Sequence, residues 1–429
     1  MSSLPAGSLG HSQATLPRSL GVQVFLAFAL AYFLSALVRA ITATLSPTLS
    51  QEFGLSSADL GLLAGGYFFG FALTQLPLGR WLDRHGPKTV ILGFLTVAVV
   101  GCVAFSLATQ FAGLLAARVL CGVGVSACLM APLTAYRRWF APETQLRANS
   151  WMLMTGSLGM VASTLPVQWL LPHWGWRPLF LGLAVLIVLA MVVLAWRLPA
   201  WQTHAPAPSA GPSDGGYGMI MRHPYFRRHL ALGFFSYGGL LAVQTLWAGP
   251  WLVQVSGYTP AQAAQGLFWI NVCMLCTFWL WGAVNPLLAR KGLHANRLIR
   301  LGMPLSLITL AIICIAGSAI DWWAWALFCI FSSCMALATP AVGLAFAPHL
   351  AGRALSAYNL VVFVGVFVLQ WGIGLLIDGF KAAGFPVGQA FSAAFGVFFV
   401  CCLAAYLRFV LDNGKSALDQ PVSHTARAP

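Results

Sequence analysis

The stretch LPLGRWLDRHGPKT, residues 76–89, concentrates charge in a chain that is 59% hydrophobic and only 7% charged. Long apolar runs precede and follow it. Its charged or protonatable side chains are Arg80, Asp83, Arg84, His85 and Lys88. Charges at the junction of two apolar runs are typical of a turn between membrane-spanning segments. The rest of the sequence tests that interpretation.

The composition is that of a membrane protein. A soluble domain carries about 25% charged residues, so 7% and a mean hydropathy of +0.82 leave too little polar surface to face water. The apolar runs are continuous and about 20 residues long, which is enough for a helix to cross the hydrocarbon layer. We therefore predict an all-α membrane protein with spans at 21–46, 57–82, 88–108, 111–136, 148–171, 176–198, 228–251, 262–288, 298–318, 322–347, 353–378 and 386–411.

The basic residues divide unequally between the two membrane faces. Of the 23 Lys and Arg, Arg39 and Arg118 fall inside spans, Arg177 and Lys381 fall at one face, and the other 19 fall at the opposite face. The positive-inside rule then predicts a multi-pass protein of a bacterial-type inner membrane with both termini in the cytoplasm. The net charge of +14 forms no single patch, so we expect no nucleic-acid partner.

The twelve spans divide into two sets of six. Between the sixth and seventh runs PAWQTHAPAPSAGPSDGGYG, residues 199–218, whose composition predicts a flexible linker. The charged turn recurs after the eighth span, where residues 288–292 align with 82–86 at an offset of 206, with Ala289 in place of the acid. The predicted units are a tail (1–20), a six-helix bundle (21–198), a cytoplasmic linker (199–227), a second bundle (228–411) and a C-terminal tail (412–429).

The opening stretch also resembles a known family signature. The pattern G-x-x-x-D-R-x-G-x-K between the second and third of twelve spans is similar to the signature loop of the major facilitator superfamily, and RVLCGVGVSA at 118–127 is similar to its fourth-span motif. The loop motif consists of Gly79, Asp83, Arg84, Gly86 and Lys88. The fourth-span motif consists of Arg118, Gly122 and Gly124. Trp81 and Pro87 depart from the usual loop pattern.

The resemblance implies a secondary transporter with two pseudo-symmetric six-helix bundles. It further implies that the loop belongs to a cytoplasmic gate, in which Asp83 helps to hold the bundles together when the transporter faces outward. The plainer alternative is a charged loop that only fixes topology. For Arg118 the resemblance implies a role in coupling or in helix contacts rather than in direct substrate binding.

Arg39 is the strongest candidate for substrate binding. It lies 18 residues after the start of the predicted first span, too deep for its side chain to reach the nearer membrane surface with ease. A buried arginine is costly, and its guanidinium offers a planar set of donors suited to a carboxylate or phosphate. We expect Arg39 to bind an anionic group of the substrate. A structural arginine bonded to carbonyl oxygens of neighbouring helices is the alternative.

Carboxylates and histidines are absent from the span centres. No Asp, Glu or His falls near the middle of any predicted span, so the sequence identifies no proton-coupling residue. Facilitated diffusion, anion exchange and proton coupling through an acid nearer the surface all remain open.

Uncharged polar and aromatic side chains in the spans predict the remainder of a binding cavity. Two stretches carry glycines beside them, YGGLLAVQTLWAGPWL at 237–252 and GVFVLQWGIG at 365–374. Glycine and proline are tolerated in a span where the freed backbone lines a cavity or another helix. We expect breaks in helix regularity at Gly238, Gly239, Gly249 and Pro250. The predicted cavity residues are Tyr32, Gln75, Tyr237, Gln244, Trp247, Asn271, Asn359 and Gln370.

The sequence favours a non-enzymatic transporter of a small solute, either an organic anion, an amino-acid-like compound or a peptide. It carries no catalytic or nucleotide-binding motif, and no cofactor or metal is expected; the C-x-x-C pair Cys273 and Cys276 lies within a span and predicts packing. Efflux of lipophilic or cationic compounds is the alternative, although the fifth span lacks the G-x-x-x-G-P-x-x-G-G pattern of drug–proton antiporters. A non-transporting receptor or assembly factor is a further alternative. We expect a monomer in the lipid bilayer.

Overall fold

The computed structural model of the chain describes residues 16–199 and 217–412. Residues 1–15, 200–216 and 413–429 lie outside the described part, and with them most of the predicted linker and of both predicted tails. Within the described ranges the regular elements are helices.

Six long helices form the described first half. A continuous stretch, Ser57–Leu107, contains two of them because its backbone leaves helical geometry at Gly86. In chain order the helices are α1 Arg18–Phe53, α2 57–85, α3 87–107, α4 Phe111–Trp139, α5 in two pieces Pro142–Ala162 and Leu165–Trp174, and α6 Trp176–Arg197.

The second half repeats this arrangement. A short helix, Tyr217–Arg222, precedes it. The six long helices are α7 Pro224–Gln254, α8 Pro260–Arg290, α9 Ala295–Ala316, α10 Trp322–Leu344, α11 Pro348–Ala382 and α12 Val387–Leu411.

The predicted count of twelve spans is confirmed. Ten helical stretches of the described residues are long and apolar enough to cross a bilayer, and one of these is the stretch that contains both α2 and α3. The twelfth span is α5, which is interrupted at residues 163–164.

Gly86 makes the chain reverse direction between α2 and α3. Its φ of 76° and ψ of 162° lie outside the helical region, in a conformation that favours glycine. Gly122 of α4 packs on the backbone of Tyr67, and Gly124 packs on that of Ala98. If Tyr67 and Ala98 belonged to one straight helix, they would lie about 45 Å apart at 1.5 Å per residue. Because neighbouring glycines of α4 contact both of them, α2 and α3 must run side by side. Gly292, at the equivalent turn of the second half, has a φ of 73°, as the predicted repeat requires.

Side-chain contacts identify the two ends of the bundle. Lys88 bonds the last residues of α6, and Arg197 bonds Gln23 of α1, so the charged turn, the start of α1 and the end of α6 share one end, here called the basic end. At the opposite end, here called the far end, Arg177 pairs with Glu52 at 2.6 Å.

The two halves meet at the far end through α2 and α11. Gly61 and Gly65 of α2 lie against the backbone of Gln370 and Phe367, and Gly374 of α11 lies against the backbone of Ser57. Close contact of two helix backbones requires residues without side chains at the contact, as in other membrane helix pairs. This contact brings the halves together.

The first helix extends beyond the prediction. It was expected to end at residue 46, before Pro47, but it continues to Phe53. Proline leaves the carbonyl oxygen four residues earlier without its helical donor. The hydroxyl of Ser46 donates to that oxygen, on Ala43, at 2.8 Å, which compensates for the missing bond.

The expected breaks in α7 lie elsewhere than predicted. The irregular turns are wide π-helical segments at Leu232–Tyr237 and Val243–Trp247, whereas Gly238 and Gly239 lie in the regular helix between them, and Gly249 and Pro250 follow in regular helix. Gly238 packs against the backbone of α11, and Gly239 against the ring of Phe398. These glycines serve close packing, and the prediction that they break the helix was wrong.

Gly124→Ala is expected to destabilise the fold. The added methyl group would overlap with the backbone of Ala98, and overpacking of a tight contact costs about 1–3 kcal/mol. We expect a lower midpoint of thermal unfolding for the detergent-solubilised protein. Gly93→Ala in α3 is the matched control, because nothing lies within 4 Å of its added methyl group. Equal midpoints for the two variants would contradict the close α3–α4 contact.

Candidate functional site

Arg39 lies on α1, where that helix faces α5, and it is half-buried. Its Nη2 approaches the sulfur of Met160 at 3.7 Å, and its buried Nε has no hydrogen-bond partner. A thioether is a weak acceptor, so a cation in this position retains most of its capacity to bind an anion.

Two tyrosines, one from each half, lie near Arg39. Tyr32 precedes it by seven residues and therefore lies on the same face of α1, and Tyr237 belongs to α7 of the second half. The phenol of Tyr237 interacts electrostatically with both Tyr32 and Arg39. Gly156 of α5 lies beneath the Tyr32 ring, where an added methyl group would approach the ring at 2.5 Å. The structure thus brings these three predicted residues together at the junction of the halves.

Arg118 is fully buried in the first half. Its Nη1 donates to the carbonyl oxygen of Val38 at 2.9 Å, and its guanidinium carbon lies 5.1 Å from the centre of the Tyr67 ring. Its Nε and Nη2 have no hydrogen-bond partner. Gly122, one turn along α4, allows the close approach to α2 that places Tyr67 on this arginine.

The carboxylates of the described residues lie at helix ends. Glu52 pairs with Arg177, the Asp59 carboxylate accepts from the backbone N–H of Ser56 at the start of α2, and Asp378 accepts from the same helix end from α11. Asp83, Asp321 and Asp412 are exposed. Neither Arg39 nor Arg118 therefore has a carboxylate partner within the described ranges.

A second polar group of side chains lies inside the second half. Nε2 of Gln244 donates to Oδ1 of Asn271 at 3.0 Å, and Nε2 of Gln370 donates to the hydroxyl of Thr245 at 3.0 Å. The indole of Trp247 donates to the backbone oxygen of Gln370 at 3.2 Å. Oε1 of Gln370 is buried without a partner. These bonds hold α7, α8 and α11 together and leave one free acceptor.

Two predicted cavity residues do not join either group. The amide of Gln75 donates to the carbonyl oxygen of Phe71 in its own helix at 3.3 Å. Asn359 is half-buried on α11 and has no side-chain hydrogen bond to another described residue. A surface cleft of about 380 Å³ at the far end, lined in part by Trp269, Asp321 and Trp322, contains none of the predicted residues.

The signature loop divides into structural and exposed members. Lys88 donates to the carbonyl oxygens of Ala195 and Leu198 at 2.7 and 3.0 Å, where a cation also complements the negative end of α6. Asp83 and Arg84 are exposed. Gly86 makes the turn, whereas Gly79 lies within α2 with open space around it. The reversal of the chain therefore depends on Gly86 and not on Gly79.

A contact between the halves that the sequence did not predict involves Asp378. Its carboxylate accepts from the backbone N–H groups of Ser57 and Ala58 at 3.2 and 2.6 Å, and Lys381 donates to the hydroxyl of Ser57 at 3.1 Å. The first N–H groups of a helix lack partners within it, and a carboxylate there also complements the helix dipole. No local pattern indicates a partner 320 residues away.

The architecture and the site define a class of protein. Two six-helix bundles with polar and charged residues at their junction are the arrangement of a secondary transporter that binds its substrate within the membrane. The sequence profile of the Major Facilitator Superfamily matches residues 28–370. The chain belongs to the Major Facilitator Superfamily, and the family predicted from the signature loop is confirmed.

Curated relatives match parts of the chain. The 4-hydroxybenzoate transporter PcaK of Acinetobacter baylyi is 25% identical over 292 residues, which cover 59% of this chain and 64% of that protein. PcaK of Pseudomonas aeruginosa is 29% identical over 167 residues, covering 39% and 37%, and the gallate transporter of Pseudomonas putida is 30% identical over 165 residues, covering 37% and 36%. Each match spans less than two thirds of the relative's length.

Solved structures share the fold over nearly the whole chain. A bacterial homologue of the human lysosomal transporter Spinster, in an inward-facing and unoccupied conformation, has a TM-score of 0.76 at 18% identity and covers 95% of this chain and 100% of that one. The D-xylose–proton symporter has a TM-score of 0.71 at 14% identity, with 90% and 97% coverage. At such identities the likeness shows the fold.

Asp378→Asn is expected to loosen the contact between the halves at the far end. The variant loses the charge that the start of α2 stabilises, an interaction worth about 0.3–2 kcal/mol. We expect faster hydrogen–deuterium exchange of a peptide that contains Ser57 and Ala58. Asp321→Asn is the matched control, because Asp321 begins α10 at the far end without a side-chain capping bond. Unchanged exchange in Asp378→Asn would contradict the role of this contact.

Proposed function

We propose that the protein is a secondary transporter that carries a small organic anion across a bacterial inner membrane by alternating access, with Arg39 binding the anionic group. The observation that carries this proposal is the environment of Arg39. Its guanidinium is half-buried at the junction of the halves, with one unpaired nitrogen and a thioether as its hydrogen-bond partner. A carboxylate would give it the charge-assisted, two-pronged bond that no described residue provides.

The side chains around Arg39 favour an aromatic or otherwise planar carboxylate. Tyr32 and Tyr237 supply ring faces and hydroxyl groups. The relatives are transporters of 4-hydroxybenzoate and of gallate, both of which are aromatic carboxylates. These names support aromatic carboxylates as the first compounds to test; amino-acid-like compounds and peptides carry the same carboxylate.

Alternating access follows from the contacts between the halves. We propose that the bundles 21–198 and 228–411 move against each other, and that the basic end, with both termini, faces the cytoplasm. The α2–α11 contact then closes the periplasmic side in this conformation. Asp83, exposed here, would form its contact with the other half when the cytoplasmic side closes, as the signature loop implies for this family.

Efflux of cations is less well supported. A buried carboxylate is the expected feature of a site that binds a cation. The described carboxylates lie at helix ends, and the residue at the junction of the halves is an arginine. A receptor or assembly factor would need neither the Arg39 environment nor a movable gate. We propose instead a transporter that acts as a monomer and needs no cofactor.

Arg39→Ala is expected to weaken binding of carboxylates. Hydrogen bonds to a charged partner contribute about 1.5–3 kcal/mol, so affinity should fall about 10- to 150-fold. The measurement is thermal stabilisation of the detergent-solubilised protein by 4-hydroxybenzoate, gallate, amino acids, dipeptides, sugars and lipophilic cations. Bound ligand at 100 times its Kd adds about 2.7 kcal/mol of stability.

Arg39→Lys is the matched control, since it keeps the charge and loses the planar fork of donors. We expect it to bind carboxylates with intermediate affinity. Stabilisation of the wild type by cations alone, or equal stabilisation of wild type and Arg39→Ala by carboxylates, would refute the assignment of Arg39.

A further inference from the structure

Arg39 and Arg118 form one positively charged cluster in the first half. Arg118 bonds the carbonyl oxygen of Val38, the residue before Arg39, at 2.9 Å. Both guanidinium groups interact electrostatically with the phenol of Tyr67, whose hydroxyl donates to the carbonyl oxygen of Ser35 at 3.4 Å. Two formal charges therefore lie beside the same stretch of α1.

The groups that face this cluster do not compensate its charge. The described titratable groups that interact with it are phenols and thiols rather than carboxylates. They are Tyr67, Tyr237, Cys102 and Cys121. Within the described ranges no carboxylate or histidine contacts either arginine. His229, the buried histidine of α7, bonds Asn296 and the carbonyl oxygen of Tyr225 near the basic end.

Uncompensated charge has a consequence for movement across the membrane. A charge removed from water without a partner is strongly unfavourable, whereas a charge paired with an anion is much less so. To return without substrate, the transporter must close both sides over two guanidinium groups whose described hydrogen-bond partners are a carbonyl oxygen and a thioether. When an anion is bound at Arg39, the transporter closes over a site whose net positive charge is reduced by the charge of the anion.

We infer that the protein is an anion exchanger, in which the bundles change sides readily only when an anion occupies the Arg39–Arg118 cluster, so that entry of one anion is coupled to exit of another. This inference rests on the proposed function, because it requires an anion at Arg39. Arg39 contacts the anion, while Arg118 acts through its charge and through the α1 backbone that it holds. The described residues at the cluster include no carboxylate or histidine in contact with either arginine, and these are the side chains that usually carry the proton in a symporter.

The test is uptake of radiolabelled 4-hydroxybenzoate and radiolabelled gallate into proteoliposomes. One set is loaded with the same unlabelled compound, one set is empty, and a third is empty with an acidic medium outside. We expect uptake into loaded vesicles to be at least about tenfold faster than into either empty set, which corresponds to a difference of 1.36 kcal/mol in barrier height.

The outcomes separate this inference from the proposed function. Equal uptake into loaded and empty vesicles, with loss of uptake in Arg39→Ala, overturns exchange and leaves anion transport in place. Rapid uptake into empty vesicles only under acidic medium also overturns exchange and indicates proton symport. Absence of flux of both compounds in all vesicles contradicts the proposed function and this inference with it.

A matched pair of variants tests the contribution of Arg118. Arg118→Gln removes one charge from the empty site, so the ratio of loaded to empty uptake should fall toward one. Arg118→Lys retains the charge and should retain the ratio. Uptake rates are compared per amount of correctly inserted protein. If Arg118→Gln does not insert, the ratio of loaded to empty uptake measured for the wild type alone decides whether the protein exchanges anions. An unchanged ratio in inserted Arg118→Gln overturns the role of Arg118 in coupling.

Discussion

The membrane interior tolerates a formal charge only where another group compensates it, and the rest of this structure is organised around that constraint. The described helices keep nearly all of their charges at the two ends of the bundle, where water and lipid headgroups solvate them. Arg39 and Arg118 are the exceptions, and both lie in the first half against α1. Within the described residues their partners are a carbonyl oxygen, a ring face and a thioether, none of which carries a formal negative charge.

The helix packing makes this arrangement possible. α2 packs on α4 through glycines, which places Tyr67 over Arg118, and it packs on α11 through a second set of glycines, which joins the halves at the far end. Asp378 adds an electrostatic contact at the same end by capping α2 from α11. One helix, α2, thus contacts both Arg118 and the second half of the chain. A change in the packing of α2 would therefore affect both the surroundings of Arg118 and the contact between the halves.

The sequence predicts much of this structure because its dominant signals are local. Runs of apolar residues predict the twelve spans, and the glycine of the signature loop predicts the turn at Gly86. Details that depend on particular hydrogen bonds or on contacts between helices are not visible in the sequence. The continuation of α1 through Pro47 is accompanied by the hydrogen bond of Ser46, and Gly238 and Gly239 of α7 serve close packing in regular helix between the two irregular segments.

The candidate site is predicted only in part for the same reason. The position of Arg39 deep in a span indicates its importance, but its contact with Met160 and its proximity to Tyr237 arise from α5 and α7. The contact of Asp378 with α2 joins opposite halves and has no sequence signal.

The most direct test of the central claim is an experimental structure of the protein with a bound carboxylate such as 4-hydroxybenzoate. The account predicts the carboxylate within hydrogen-bonding distance of the Arg39 guanidinium, with Arg39 turned away from the sulfur of Met160 and the ring of the ligand beside Tyr32 or Tyr237. A ligand bound elsewhere, with Arg39 still on Met160, would contradict it.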